Sequence, residues 1–212
     1  MAEAVTITIL AKAPIEGFAK TRLIPALGAQ GAAALQARLI ERTVETAVAA
    51  AIGPVTLWCT PDETHELFHM MADRFGVALA RQPEGDLGRR MLAAAAASQG
   101  PALIIGTDCP ALTRELLRQA SDALREGDAV VIPAEDGGYG LVGLHKPQPA
   151  LFTDMEWSVA TVMDETRQRM TALRLQWREL SPIWDVDTPA DLERLKREGY
   201  GFLLTPAPPA RA

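Results

Sequence analysis

The chain has 212 residues, 48% of them apolar and 23% charged, and a formal charge of −6. That length suits one α/β domain with a core of useful size. The acidic balance argues against nucleic acid as a main partner, because a phosphate backbone needs a basic surface, and no apolar segment reaches the length that spans a bilayer.

Val5–Leu10 is rich in β-branched residues and reads as a buried strand. Ala11–Gly28, punctuated by Pro14, Gly17 and Pro25, reads as a long ordered loop. Gly31–Ala51 is Ala-rich, with Leu35, Leu39, Ile40, Val44 and Val48 at helical spacing. A strand at Val55–Cys59, a helix from Asp62 to Phe75 and a short strand at Val77–Ala80 follow. The loop Gln82–Leu87 leads into a helix through Ala97, and Ala102–Gly106 is a wholly apolar strand. Next come a helix at Thr113–Arg125, a strand at Ala129–Pro133, a Gly-rich turn at Asp136–Gly140 and a strand to Leu144. A helix over Ala160–Met170, an alternating strand at Leu173–Glu179 and a helix at Thr188–Glu198 complete the domain, expected over 1–204, with 205–212 a flexible Pro/Ala-rich tail. Strand–helix alternation predicts a mostly parallel central sheet with helices on both faces. Ligands of such sheets bind outside the carboxyl ends of the strands. That rule singles out the loops at 11–23, 82–90, 107–112 and 135–143.

The first of these loops carries Lys12, Lys20 and Arg22 just beyond the first strand. Cations there can neutralise a diphosphate, and an arginine can fork onto two phosphate oxygens. Gly17 would let the backbone approach the same ligand, and Ala11 and Ala13 are expected beside it at the nucleotide. The loop is neither a Walker A motif nor G-x-G-x-x-G, so P-loop NTPase and dinucleotide readings lose their main support. Asp108, in Thr107-Asp-Cys-Pro110, follows the apolar strand and is placed to hold Mg²⁺ or Mn²⁺, ions that take few ligands from protein and the rest from phosphate and water. A helix cap is the alternative, but Pro110 and Thr113 lie nearer the helix start. Asp185 and Asp187 share one side of an extended segment, and one of them can supply a second metal ligand. Glu135 and Asp136, beside Gly137, Gly138 and Tyr139, suit the floor of an acceptor pocket or a plain strand turn.

Other signals lead elsewhere. His65-Glu-Leu-Phe-His69 matches H-E-x-x-H, but His145 is the only other histidine and has no metalloprotease spacing; Leu67, Met71 and Phe75 suit an ordinary packing helix. Cys109 has no nearby His or Asn to activate it and reads as a small residue at the site edge. Cys59 and Cys109 lie in no metal or disulfide pattern, which fits a reducing cytoplasm. Glu3 and the short run Val5–Ala11 do not resemble a secretory signal.

Several motifs occur in order: Ala11-Lys-Ala-Pro…Gly17…Lys20-Thr-Arg-Leu23, Gly85-Asp-Leu-Gly88…Met91, Gly106-Thr-Asp-Cys-Pro110, Pro133-Ala…Asp136-Gly-Gly-Tyr139, Trp157-Ser158 and Asp185-Val-Asp-Thr-Pro189. The set resembles a bacterial family of small glycosyltransferase-like proteins of the GT-A superfamily, associated with radical-SAM, selenium or arsenosugar gene neighbourhoods. That family is in turn similar to nucleotidyltransferases of the 2-phospholactate guanylyltransferase type. The resemblance implies a three-layer, Rossmann-like nucleotide-diphospho-sugar transferase (GT-A) fold. It implies that Lys20 and Arg22 bind phosphate, that Asp108 and Asp187 hold the metal, and that Gln82, Gly85, Asp86 and Leu87 lie near the base or ribose, with Thr107 beside them. Trp157 and Ser158 would join Glu135, Asp136, Gly137, Gly138 and Tyr139 around the acceptor. Two departures stand out: Val159 replaces the threonine of the family's Trp-Ser-Thr, and no Asp-x-Asp follows the middle strand. The expected activity is a metal-dependent transfer from a nucleotide or nucleotide-sugar donor to a small-molecule acceptor, with Lys20, Arg22, Asp108 and Asp136 as the catalytic set. Glycosyl transfer is the first reading; nucleotidyl transfer with release of pyrophosphate, or a non-catalytic nucleotide-binding regulator, are the alternatives.

Overall fold

The computed structural model describes residues 4–205. Of the tail expected at 205–212, everything beyond Thr205 lies outside the described residues. The elements run β1 (Thr6–Lys12), α1 (Ile24–Ala50), β2 (Val55–Thr60), α2 (Glu66–Phe75), β3 (Ala78–Arg81), α3 (Leu87–Ala97), β4 (Ala102–Ile105), α4 (Arg114–Glu126), β5 (Ala129–Pro133), β6 (Tyr139–Leu144), α5 (Val162–Ala172), β7 (Trp177–Glu179) and α6 (Pro189–Arg197). One seven-stranded sheet has the order β3-β2-β1-β4-β6-β5-β7. Its pairs are parallel except β4–β6 and β5–β6, so β6 alone runs against the others. The α/β class and the mostly parallel sheet are as the alternation of elements predicts.

Side chains alternate across the sheet and divide the core in two. Ile7, Ile9, Leu103, Ile105, Val130 and Ile132 pack with Ile40, Val44, Phe68 and Leu117 on the face covered by α1, α2 and α4. Ile104, Val131, Val142 and Leu144 face the other way, onto Met91, Met163 and Met170 of α3 and α5. Strands buried on both faces need continuous apolar runs, and β4 and β5 have them. A third cluster ties α1 to the chain's last third, with Leu35 and Leu39 against Trp184, Val186 and Leu195. It carries residues 183–188 up to the carboxyl end of the sheet.

Several boundaries differ from the sequence reading for local reasons. The helix at Ile24–Ala50 starts early but breaks at Gly28 (φ 71°, ψ 167°), so its regular part begins where the apolar spacing does. Asp62 does not open α2: it accepts bonds from Thr64 in a tight turn, and His65 caps the helix by accepting from Leu67 N. The strand expected over Leu173–Glu179 shrinks to Trp177–Glu179, because only these residues find β5 beside them.

Candidate active site

The loop after β1 is held down by its buried lysine. Lys20 has a left-handed backbone (φ 47°) at the start of a 3-10 turn, Thr21–Leu23, which turns its side chain inward. That side chain is 5% exposed; its Nζ lies 2.7 Å from Asp108 Oδ1 and donates to the Val186 carbonyl at 2.6 Å. Val186 N in turn donates to the Asp108 carbonyl at 2.9 Å. One ammonium thus joins the β1–α1 loop, the end of β4 and the segment before α6. Arg22, two residues on, is 70% exposed and pairs with Asp187. Lys12 lies over the Phe18 ring, 4.1 Å from its centroid.

The end of β4 is fixed from below by Gln36. This residue is buried on the apolar face of α1 and donates to the Lys12 carbonyl and to Thr107 Oγ1, both at 3.1 Å. A buried amide must find partners, and here it locks two ligand-facing loops together. Sequence reasoning passed over Gln36, although a polar residue within the buried stripe Ala32–Ile40 is a readable signal.

Four carboxylates, those of Asp108, Asp136, Asp185 and Asp187, line the space above β4. Asp185 is half-buried, and burial, reinforced by the charges of Asp136 and Asp108, pushes its carboxyl up to about 6. Asp185 forms no ion pair among the described residues, whereas Asp187 does. Asp136 accepts from Gly138 N at 2.9 Å, which fixes it at the cavity rim. Gly137 (φ 91°) is required here, since a Cβ would meet the Ala160 carbonyl oxygen at 2.1 Å. Its own carbonyl accepts from Met163 N; together these contacts draw residues 157–162 over the site. Gly140 is equally tight, its Cβ position only 2.5 Å from Ile183 Cδ1 and 3.0 Å from Cys109 Sγ. Burial and the charges of Asp108 and Asp185 raise the Cys109 thiol, which works against the thiolate form that a nucleophile needs.

These groups surround a cavity of about 630 Å³ at the carboxyl ends of β1 and β4, within the size range of small-molecule sites. Of the residues singled out from sequence, Lys12, Lys20, Arg22, Leu87, Thr107, Asp108, Asp136, Gly138, Tyr139, Trp157, Ser158 and Asp187 line it. Gln36, Met91, Cys109, Val159 and Asp185 line it as well. Ala11, Ala13, Gly17, Gln82, Gly85, Asp86, Glu135 and Gly137 do not. Gln82 is buried and donates to the Ala11 and Trp58 carbonyls, stapling the ends of β1 and β2. Asp86 caps α3 by accepting from Arg89 N at 2.8 Å. Glu135 points away onto Arg194 in a two-pronged pair, which holds its carboxyl below the usual range. His65 serves as the cap of α2 and His69 is exposed. No three metal-binding side chains converge around them, or anywhere among the described residues. No helix among those residues is long and apolar enough to cross a membrane.

The chain belongs to the family described as "Uncharacterized protein conserved in bacteria (DUF2064)", whose model matches residues 43–159. No curated protein matches the sequence. Among solved structures, a Desulfovibrio desulfuricans G20 protein that carries the provisional name nucleotide-diphospho-sugar transferase is 29% identical, with a TM-score of 0.83 over 92% of this chain and 87% of that one. The 4-diphosphocytidyl-2C-methyl-D-erythritol synthase of Anaerococcus prevotii DSM 20548 is 11% identical (TM-score 0.62, 95% and 97% covered). Glucosyl-3-phosphoglycerate synthase of Mycobacterium tuberculosis, solved with Mn²⁺ and UDP, is 10% identical (TM-score 0.57, 96% and 79% covered). The fold is therefore the Rossmann-like GT-A fold, and these structural neighbours are transferases.

Proposed function

We propose that this member of the family is a metal-dependent transferase that takes a nucleotide-type donor, and that a nucleotide-sugar is its donor and glycosyl transfer its reaction. One observation carries the reading. Lys20, Arg22, Asp108, Asp185 and Asp187, from three separate segments, meet at the carboxyl end of the sheet, in one cavity. Crowded carboxylates with a single buried cation leave an excess of negative charge that suits a divalent ion. The donor set fits Mg²⁺ or Mn²⁺: since no three such side chains converge, Asp108 with Asp187 or Asp185 would contribute two oxygens and leave the remaining positions to phosphate and water. When bound, such an ion neutralises the diphosphate and stabilises it as a leaving group.

Lys20 and Arg22 act on the same charge. Lys20 is held rigidly and is aimed before any ligand arrives, which is the condition for electrostatic stabilisation without reorganisation. Arg22 is exposed and can exchange the Asp187 carboxylate for phosphate oxygens. In transfer, the acceptor oxygen bonds to the anomeric carbon while the bond from that carbon to the diphosphate oxygen breaks. The bonding pair leaves with the nucleoside diphosphate, and the acceptor proton passes to Asp136. Lys12 and Thr107 would flank the phosphates; Leu87 would lie towards the base, and Gly138, Tyr139, Trp157 and Ser158 towards the acceptor. The free thiols Cys59 and Cys109 suit a reducing cytoplasm.

Nucleotidyl transfer is the second reading, favoured by the single aspartate of Gly106-Thr-Asp-Cys109 where a glycosyltransferase of this fold would carry Asp-x-Asp. The products separate the two. A nucleoside triphosphate substrate releases pyrophosphate, and a nucleotide-sugar releases a nucleoside diphosphate. A panel of both donors, with and without Mg²⁺ or Mn²⁺, is expected to show metal-dependent binding followed by one of these products. Binding without turnover would indicate a regulator, and no metal-dependent nucleotide binding would overturn the whole reading.

A further inference from the structure

The cavity is lopsided in charge. Its only lining cations among the described residues are Lys12, Lys20 and Arg22, from the last residue of β1 and the segment that follows it. The apolar part of the wall includes Met91, Tyr139, Trp157 and Val159, and the first three belong to or pack against the core on the α3 face. The polar atoms of this wall are muted. Tyr139 and Trp157 meet edge to face with centroids 6.5 Å apart, and the Tyr139 hydroxyl has the Met91 thioether at 3.9 Å as its partner. Trp157 Nε1 is buried without a hydrogen-bond partner. Burial keeps the phenol protonated. Arg169, whose field reaches Tyr139, is tied to Glu165 and to the Ala150, Thr153 and Asp154 carbonyls and does not line the cavity. Among the residues that line the cavity, the charged side chain nearest to Tyr139 in sequence is the carboxylate of Asp136.

We propose that this apolar part of the cavity takes a small neutral acceptor with an apolar or aromatic face, not a phosphorylated or carboxylated one, and that Val159 is part of the surface the acceptor covers. The proposal rests on the transferase reading above. An anionic acceptor would meet Asp136 and Asp185, and Lys20, the cation whose field reaches Asp185, is already engaged by Asp108 and the Val186 carbonyl; like charges brought together in a desolvated site are strongly rejected. An aromatic or alkyl face gains by covering Met91, Trp157 and Val159. Val159 lies outside regular secondary structure and adds a methyl-bearing surface where a threonine would add a hydroxyl.

The test compares 2-naphthalenemethanol with its phosphate monoester, by equilibrium dialysis, on protein loaded with Mn²⁺ and UDP or GDP so that the Lys20 and Arg22 side is filled. The alcohol is expected to bind at least about tenfold more tightly than the phosphate. Val159→Lys is expected to reverse the order, and Trp157→Ala to weaken the alcohol by a similar factor. Equal or tighter binding of the phosphate ester, or an unchanged ratio in Val159→Lys, would overturn the proposal. Failure of every nucleotide to bind would instead overturn the transferase reading. In that case the two probes, compared on Lys12→Ala/Arg22→Ala protein, still report on the wall alone, with the same ratio deciding.

Discussion

Two ion pairs stand two residues apart at the same cavity and are built for different ends. Lys20–Asp108 joins a side chain only 5% exposed to one 49% exposed, at 2.7 Å, while Arg22–Asp187 is 70% and 37% exposed. The first is anchored by a further bond to the Val186 carbonyl. The second has no such anchor and contributes at most about 1 kcal/mol to folding, as exposed pairs do. A buried charge is costly to leave alone, so Lys20 is a fixed part of the site's geometry. Arg22 is a group that can let go. One loop thus supplies both a preset charge and a movable clamp.

Removing the fixed pair tests this most severely. Asp108→Ala strands the Lys20 ammonium and is expected to cost about 2 kcal/mol of stability, somewhat less than a fully buried pair because the carboxylate is half exposed. Turnover should fall by about a thousandfold or more, the scale of losing a principal electrostatic group. Lys20→Met combined with Asp108→Ala should recover part of the stability and none of the turnover. Urea unfolding alongside initial rates checks both halves; a purely additive loss of stability would deny that the pair is coupled. Arg22→Ala is the contrast. Its stability should stay within about 0.5 kcal/mol of the parent, while the KM for the nucleotide donor rises about 10–100-fold, the value of a lost charge-assisted fork. A marked loss of stability in Arg22→Ala would erase the distinction drawn between the pairs.

Asp185 sharpens the comparison, being, like Asp136, a cavity acid with no ion pair among the described residues. Its folded carboxyl titrates near 6, above the ordinary 3.8, so the folded state holds its proton more tightly than the unfolded chain does. The resulting stability is fully present below about pH 4 and is lost as pH rises through 6; at neutral pH the metal-free fold carries a penalty. Asp185→Asn removes that penalty. It is expected to stabilise metal-free protein by about 1–2 kcal/mol at pH 8, after discounting for partial exposure, and to change little at pH 4. Thermal unfolding at the two pH values, without metal, reads the difference. A gain of equal size at both would assign the effect to packing instead of charge.

Much of this was legible in the chain because strand ends announce themselves. The apolar runs before Lys12, Thr107 and Ala134 placed those loops at the carboxyl edge, and the loops did meet. Direction was legible only in part: the five residues between β5 and β6 can join only antiparallel neighbours, but nothing local shows that β6 also inserts beside β4 and runs against it. Nor could period-two spacing rank Asp185 against Asp187. Both fall on one side of an extended segment, and their fates diverge because Arg22 reaches only the second. Gln36 shows in the sequence as a polar residue in a buried stripe, and Gln82 was expected near the base, but the partners of both were not legible for a related reason. Their roles are bonds to carbonyls 24 and 71 residues away, which composition and spacing do not encode.

The smallest expected effect concerns Glu135, which the sequence sets beside Asp136 as a second acceptor-side acid. The two neighbours point apart. Asp136 faces the cavity, while Glu135 grips Arg194, which also pairs with Glu198 and lies 4.5 Å over the Trp184 ring. Its carboxylate therefore ties the β5–β6 turn to α6 and only indirectly steadies the segment that carries Asp185. Glu135→Gln should cost no more than about 1 kcal/mol, the ceiling for a well-formed exposed pair, and leave the acceptor KM within about twofold. Asp136→Asn, by contrast, keeps the turn through its amide oxygen but cannot take the acceptor proton, and its kcat should fall about 100-fold or more. Equal losses of kcat in the two variants would mean that the turn acts as one unit and that facing the cavity does not separate the catalytic acid from the structural one.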